Sequence, residues 1–186
     1  MTVALLGILC ASAQAVTYLI DPNHSSVTFR VKHIVGKVAG RYDVFAGTFD
    51  YDPVKPASWK TAVIIGADSI NTGIAKRDEH LRSPDFFDAK KYPNISFKST
   101  KVTNAVGDNA KLEGDLSIHG VTKPIVLDLE FAGSVKDPKG KGDRVGVTAT
   151  GHLSRLDYGV GPSSGTIASM VGNDVDITIE IEGVNK

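Results

Sequence analysis

From residue 16 onward, apolar and polar residues alternate with a period of two, run after run. A chain with that pattern can bury its apolar side only by pairing strands into an antiparallel sandwich or a closed barrel. Val27, Phe29 and Val31 alternate with Thr28, Arg30 and Lys32. Phe45, Gly47, Phe49 and Tyr51 alternate with residues that include Thr48, Asp50 and Asp52. Leu112, Gly114, Leu116 and Ile118 follow the rule, as do Ile125, Leu127, Leu129 and Phe131. So do Val145, Val147, Ala149, Gly151 and Leu153, and Val175, Ile177, Ile179 and Ile181. Breaker clusters at Asp52-Pro53 and over residues 104–109, 120–124 and 137–142 separate the runs. The count comes to about eight strands. An eight-stranded barrel is about wide enough to be filled by side chains or to hold one small ligand. Gly47, Gly114, Ala149 and Gly151 fall at inward positions, where small residues either leave room for a guest or relieve strand twist.

The first fifteen residues break the pattern. They carry no charge, hold an apolar run from Val3 to Leu9 too short to span a bilayer, and end on the small-x-small triplet Ala13-Gln14-Ala15. They read as a secretory signal peptide over residues 1–15, leaving one mature domain over residues 16–186 with no transmembrane segment. No Lys or Arg precedes the apolar run. Cys10, the one cysteine, lies inside this leader, so the mature chain is expected to have neither disulfides nor thiolate chemistry. Lys and Arg number 21 against 21 Asp and Glu. The densest basic stretch, residues 136–144, is diluted by Asp, Pro and Gly and reads as a solvated hairpin loop, so nucleic acid is not an expected partner.

Residues 71–93 have a different character. Ser83 can cap a helix with Pro84 at its first position; Lys90 and Lys91 suit its C-terminal end and Pro93 stops it. A further helical turn is expected over residues 74–82. Phe86 and Phe87 would pack onto the strands, and the excursion would cover the outer face of residues 62–67, which are apolar on both sides.

Catalytic signatures are sparse. His24, His33, His80, His119 and His152 show no HxH or HxxxH spacing. Phosphate-cradling and dinucleotide motifs are absent from the sequence. Asp78 and Glu79 beside His80 read as a solvated helix face. Residues 163–174, small and polar with Met170 and Val171 at an apolar centre, form either a rim or lid over the barrel mouth or an ordinary connection.

Three phrases then carry a resemblance. They are Asp21-Pro22-Asn23-His24-Ser25-Ser26-Val27-Thr28-Phe29 with Lys32-His33; the stretch from Arg77-Asp78-Glu79-His80-Leu81-Arg82-Ser83-Pro84-Asp85-Phe86-Phe87-Asp88 to Lys91-Tyr92-Pro93; and Gly114-Asp115-Leu116-Ser117-Ile118-His119-Gly120-Val121-Thr122-Lys123-Pro124. In order and spacing, from about Tyr18 to Gly183, they resemble the YceI-like family. The resemblance implies a mainly β, extended lipocalin-like antiparallel barrel with a short helical insertion. It implies a periplasmic protein that binds an amphiphilic isoprenoid or lipid-like chain, such as a polyprenyl chain, a quinone-like molecule or a fatty amphiphile, without catalysis and without another cofactor or metal. Transport or storage of that chain would follow. The alternatives are an enzyme acting on an isoprenoid or quinone-type ligand and a stress-related barrel acting through its surface. The barrel ends and the helical region offer surface for a homodimer. Inward positions assigned to the ligand tail are Val27, Phe29, Val31, Phe45, Phe49, Phe97, Leu116, Ile118, Leu127, Leu129, Val147 and Ile177. Arg77, His80, His119 and Arg155 are candidates for the head group.

Overall fold

The computed structural model describes residues 15–138, 140 and 142–185. The leader reading over residues 1–15, with Cys10, therefore lies outside the described residues except for Ala15. Eleven strands follow in chain order: β1 (Val16–Ile20), β2 (Ser26–His33), β3 (Gly36–Tyr42), β4 (Phe45–Tyr51), β5 (Lys60–Gly66), β6 (Ile70–Asn71), β7 (Asn94–Val106), β8 (Asn109–Ile118), β9 (Val121–Lys136), β10 (Asp143–Ser154) and β11 (Val171–Val184). Among the described residues two α-helices, α1 (Ala75–Arg82) and α2 (Gly165–Met170), and three short 3-10 turns join them.

These strands make eight staves of one closed antiparallel barrel. β1 and β2 both pair with β11 and form one broken stave. β3 and β4 form the second, pairing with β2 and β1 respectively. β5 and β6 form the third, pairing with β4 and β3. β7 to β11 complete the ring as a meander, each paired to the next. Leu19 opposite Val184 and Ile20 opposite Gly183 close it. Closure removes the exposed edges that an open sheet would leave.

Two ends result. The helical end carries α1, α2, residues 83–93 and the β2–β3 and β8–β9 turns; the aromatic end carries residues 52–59 and the β7–β8 and β9–β10 turns. The alternation reads out directly as burial. In β8, Ala110, Leu112, Leu116 and Ile118 are buried, and in β9 Ile125, Leu127 and Leu129 are buried.

Four local expectations are corrected. The helix stands at Ala75–Arg82 with Ser83 after its end, and residues 84–92 form turns rather than a helix. Phe86 and Phe87 both line the interior. Adjacent helical residues point about 100° apart, so turns, with Asp88 at φ +43, deliver both rings where a helix would deliver one. Residues 62–67 are not covered on the outside: Ile64 is 56% exposed. Asp78 is buried rather than solvated, because its carboxylate accepts from the Thr72 backbone N–H and hydroxyl. Finally, Gly47, Gly114 and Gly151 do not create the free space. A Cβ on Gly47 would lie 2.5 Å from the Ala62 carbonyl oxygen, one on Gly114 would lie 2.4 Å from the Phe97 ring, and one on Gly151 would lie 2.7 Å from Leu127. Neighbours already use those sites.

Candidate functional site

The inward faces of the eight staves enclose a cavity of about 230 Å³. Its wall is hydrocarbon and aromatic except at Thr28, Asp50, Lys60, Thr61 and Arg155 and at the tyrosine hydroxyls. Eleven of the twelve positions assigned to a ligand tail lie on this wall: Val27, Phe29, Val31, Phe49, Phe97, Leu116, Ile118, Leu127, Leu129, Val147 and Ile177. Phe45 is buried in the core but does not line the cavity. Native interiors carry few voids larger than a water molecule.

Arg155 marks the helical end. It is 6% exposed, lines the cavity, and finds backbone carbonyls as its partners among the described residues. Its guanidinium donates to four backbone carbonyls on the two stems of the α2 segment. Nη1 reaches Val160 O at 2.8 Å and Pro162 O at 3.2 Å; Nε reaches Gly172 O at 2.9 Å and Nη2 reaches Val171 O at 3.3 Å. Burial draws its pKa below the ordinary arginine value, yet arginine remains charged in proteins. A second, more polar pocket lies under α2, lined by Lys32, Ile34, Met170 and Asn173 among others, and Arg155 borders both spaces. The segment over residues 163–174, made of α2 and the start of β11, lies at the helical end of the barrel, with Ile167 packed on the core and Val171 on the cavity wall.

The aromatic end is plugged. Tyr51 stacks on Phe131 at 4.9 Å, and Trp59 lies 4.5 Å from Phe131 and 5.3 Å from Tyr51. Trp59 Nε1 donates to Asp52 O at 2.7 Å, and the Asp52 carboxylate accepts from the Val54 and Lys55 amides, which fixes the loop that carries the indole. Trp59, Tyr158 and Val160 are wall residues that alternation does not identify, since they sit in turns; a lone Trp in a breaker-rich loop was the available signal for the first.

The other head-group candidates stand away from the cavity. Arg77 donates to the Thr72 hydroxyl at 2.7 Å and the Thr72 carbonyl at 2.9 Å. His80 is exposed beside Asp85 at 3.1 Å, its ring edge-on to Phe86. His119, at φ +52, packs edge-on to Tyr92 at 4.6 Å. At the barrel seam, ligand atoms of Asp21, His24 and Glu182 lie within 4.8 Å of one another. Arg144 already serves that cluster, pairing with Asp21 at 3.6 Å, with Asp137 at 2.7 Å, and with Glu182. Among the described residues no helix is long and apolar enough to cross a membrane.

A UPF0312 protein of Vibrio parahaemolyticus is 40% identical over 177 residues, covering 94% of this chain and 90% of its own. The crystal structure of the Campylobacter jejuni YceI protein superposes with a TM-score of 0.74 at 36% identity, over 83% of this chain and 90% of that one. A polyisoprenoid binding domain from Saccharophagus degradans, implicated in plant cell wall breakdown, shares the fold with a TM-score of 0.68 at 17% identity, over 93% of this chain and all of its own. The YceI-like domain model matches residues 18–183, and with the barrel, its cavity and these likenesses in hand the chain belongs to the YceI-like family.

Proposed function

We propose that this protein binds a slender amphiphile with an isoprenoid or lipid-like tail inside the barrel, for transport or storage, and that it is not an enzyme. The observation that carries the reading is the apolar cavity running between the Tyr51–Trp59–Phe131 plug and a single buried arginine. Transfer of apolar surface out of water is favourable by roughly 25 cal/mol per Å², so an apolar chain gains most in such a wall. The tail would occupy the middle of the barrel. The polar head would lie at Arg155, the one buried cation on the wall among the described residues. The fold shared with a domain described as polyisoprenoid binding supports the class of ligand.

The non-catalytic reading has its own support. Apart from tyrosines, the titratable groups on the wall are Asp50, Lys60 and Arg155. Asp50 accepts from Thr17 at 2.6 Å on the exposed side, and Lys60 is exposed. No acid–base pair therefore converges inside the cavity among the described residues. A periplasmic setting is part of the proposal and rests on the uncharged apolar leader. The test is native mass spectrometry of protein purified from its own source, followed by solvent extraction. A bound amphiphile of defined mass is expected; a clean apo mass with no uptake of added polyprenyl quinone would overturn the reading.

A further inference from the structure

At the tip of the β2–β3 hairpin, His33 pairs with Gly36 across a two-residue loop made of Ile34 and Val35. Such loops call for positive φ and normally supply Gly, Asn or Asp there. Here Ile34 takes φ +53, a region that β-branched residues avoid. Burial does not offset the strain, since Ile34 is 55% exposed and Val35 is 98% exposed. A strained turn that presents two aliphatic side chains to water has local propensity and solvation both against it. An external apolar partner removes half of that conflict.

The surroundings fix the kind of partner. Lys32, His33 and Lys37 are exposed on the two strands that carry the tip. Lys37 reaches Asp176 at 2.6 Å, with both groups exposed; Lys32 makes no ion pair among the described residues. An apolar tip with a basic collar matches the interface of an anionic bilayer, where aliphatic groups enter the acyl boundary and ammonium groups meet lipid phosphates. The tip also belongs to the mouth of the cavity. Ile34 N donates to Met170 O at 2.8 Å, and Val171 pairs with His33. It is thereby joined to the α2 segment whose stems Arg155 holds.

We propose that the Ile34–Val35 tip docks the barrel on an anionic bilayer with its Arg155 end facing the lipid. The purpose of docking rests on the lipid-chain reading; its measurement does not. The test is co-sedimentation of the mature protein with phosphatidylglycerol/phosphatidylethanolamine vesicles at low salt. Binding is expected, weaker to phosphatidylcholine alone and weaker as salt rises. The double substitution Ile34→Asn, Val35→Ser should lower vesicle affinity about tenfold or more. Its thermal midpoint should hold or rise, because Asn tolerates positive φ. Val126→Thr, at another exposed apolar position on β9, should leave docking unchanged. Wild-type protein that ignores anionic vesicles would leave the tip to a protein partner and overturn the proposal, as would a double variant that binds like wild type. Native mass spectra separate the two readings. Docking without bound amphiphile sustains this proposal and removes the other; bound amphiphile without docking does the reverse.

Discussion

The Phe97 ring on β7 occupies the place where Gly114 on β8 would carry a side chain. A Cβ at Gly114 would meet Phe97 Cζ at 2.4 Å and the Lys98 carbonyl oxygen at 2.7 Å. The ring and the backbone cannot both yield cheaply, so Gly114→Ala is expected to cost about 1–3 kcal/mol by overpacking. Gly36→Ala is the control, since nothing lies within 4 Å of its Cβ. It should be neutral or stabilising by about 0.5 kcal/mol through the unfolded chain. Urea midpoints of the two variants check this; equal midpoints would count against the packing account.

Arg155 holds both stems of the α2 segment with one guanidinium, through Val160 and Pro162 on one side and Val171 and Gly172 on the other. Arg155→Met leaves those carbonyls without their donor. A buried acceptor left unmade costs about 1–3 kcal/mol, so a total loss of about 2–4 kcal/mol is expected. Amide exchange should accelerate over residues 160–172. Arg155→Lys should rescue little, because a point ammonium lacks the fork that reaches both stems. Unchanged exchange in that segment would show that the staple does not hold it.

Legibility followed locality. Staves with strict alternation, such as β8 and β9, could be read residue by residue, and their inward positions lie where the pattern put them. β1 blurs because Leu19, 47% exposed, puts an apolar residue on the outer face between buried Tyr18 and Ile20, although the strand closes the ring. β7 blurs because its register shifts beyond Ser99. The glycines misled for a related reason: whether a small residue leaves space depends on which ring leans over it from the next strand, as Phe97, opposite Leu116 and diagonal to Gly114, does at Gly114. Arg155 was readable as a residue but not as a staple, since its acceptors, in the loop after β10 and at the start of β11, lie 5 to 17 residues away. Asp78 looked solvated because the Thr72 turn that buries it is formed by tertiary folding.

The barrel seam should be acid-sensitive. Asp21 is held below the ordinary carboxylate value of 3.8, first by its hydrogen bond with His24 and then by the Asn23 amide. A lowered folded pKa means the carboxylate contributes stability above the unfolded pKa. That contribution fades as pH falls through the lowered value. Asp43, held down by Asn71 and Arg41, acts in the same direction. Stability should therefore decline below about pH 4. Asp21→Asn should flatten the decline while lowering stability at neutral pH. Urea midpoints taken from pH 7 to pH 3 decide, and parallel curves for variant and wild type would dismiss the seam as the source.

Trp59 is the chain's only tryptophan and lies on the cavity wall, so its emission should report a guest. Adding a polyprenyl chain to delipidated protein is expected to quench or shift that emission. Two substitutions then separate core from cavity. Phe45 is buried off the wall, so Phe45→Ala should cost about 3–5 kcal/mol of stability with the titration midpoint almost unchanged. Ala149 lies on the wall, so Ala149→Phe should raise the midpoint about tenfold, equivalent to about 1.4 kcal/mol. It should cost less stability than ordinary overpacking, because the ring enters a void instead of a filled core. If Ala149→Phe titrates like wild type, the guest does not occupy the middle of the barrel. If Phe45→Ala loses binding in proportion to stability, the signal reports folding and not a cavity.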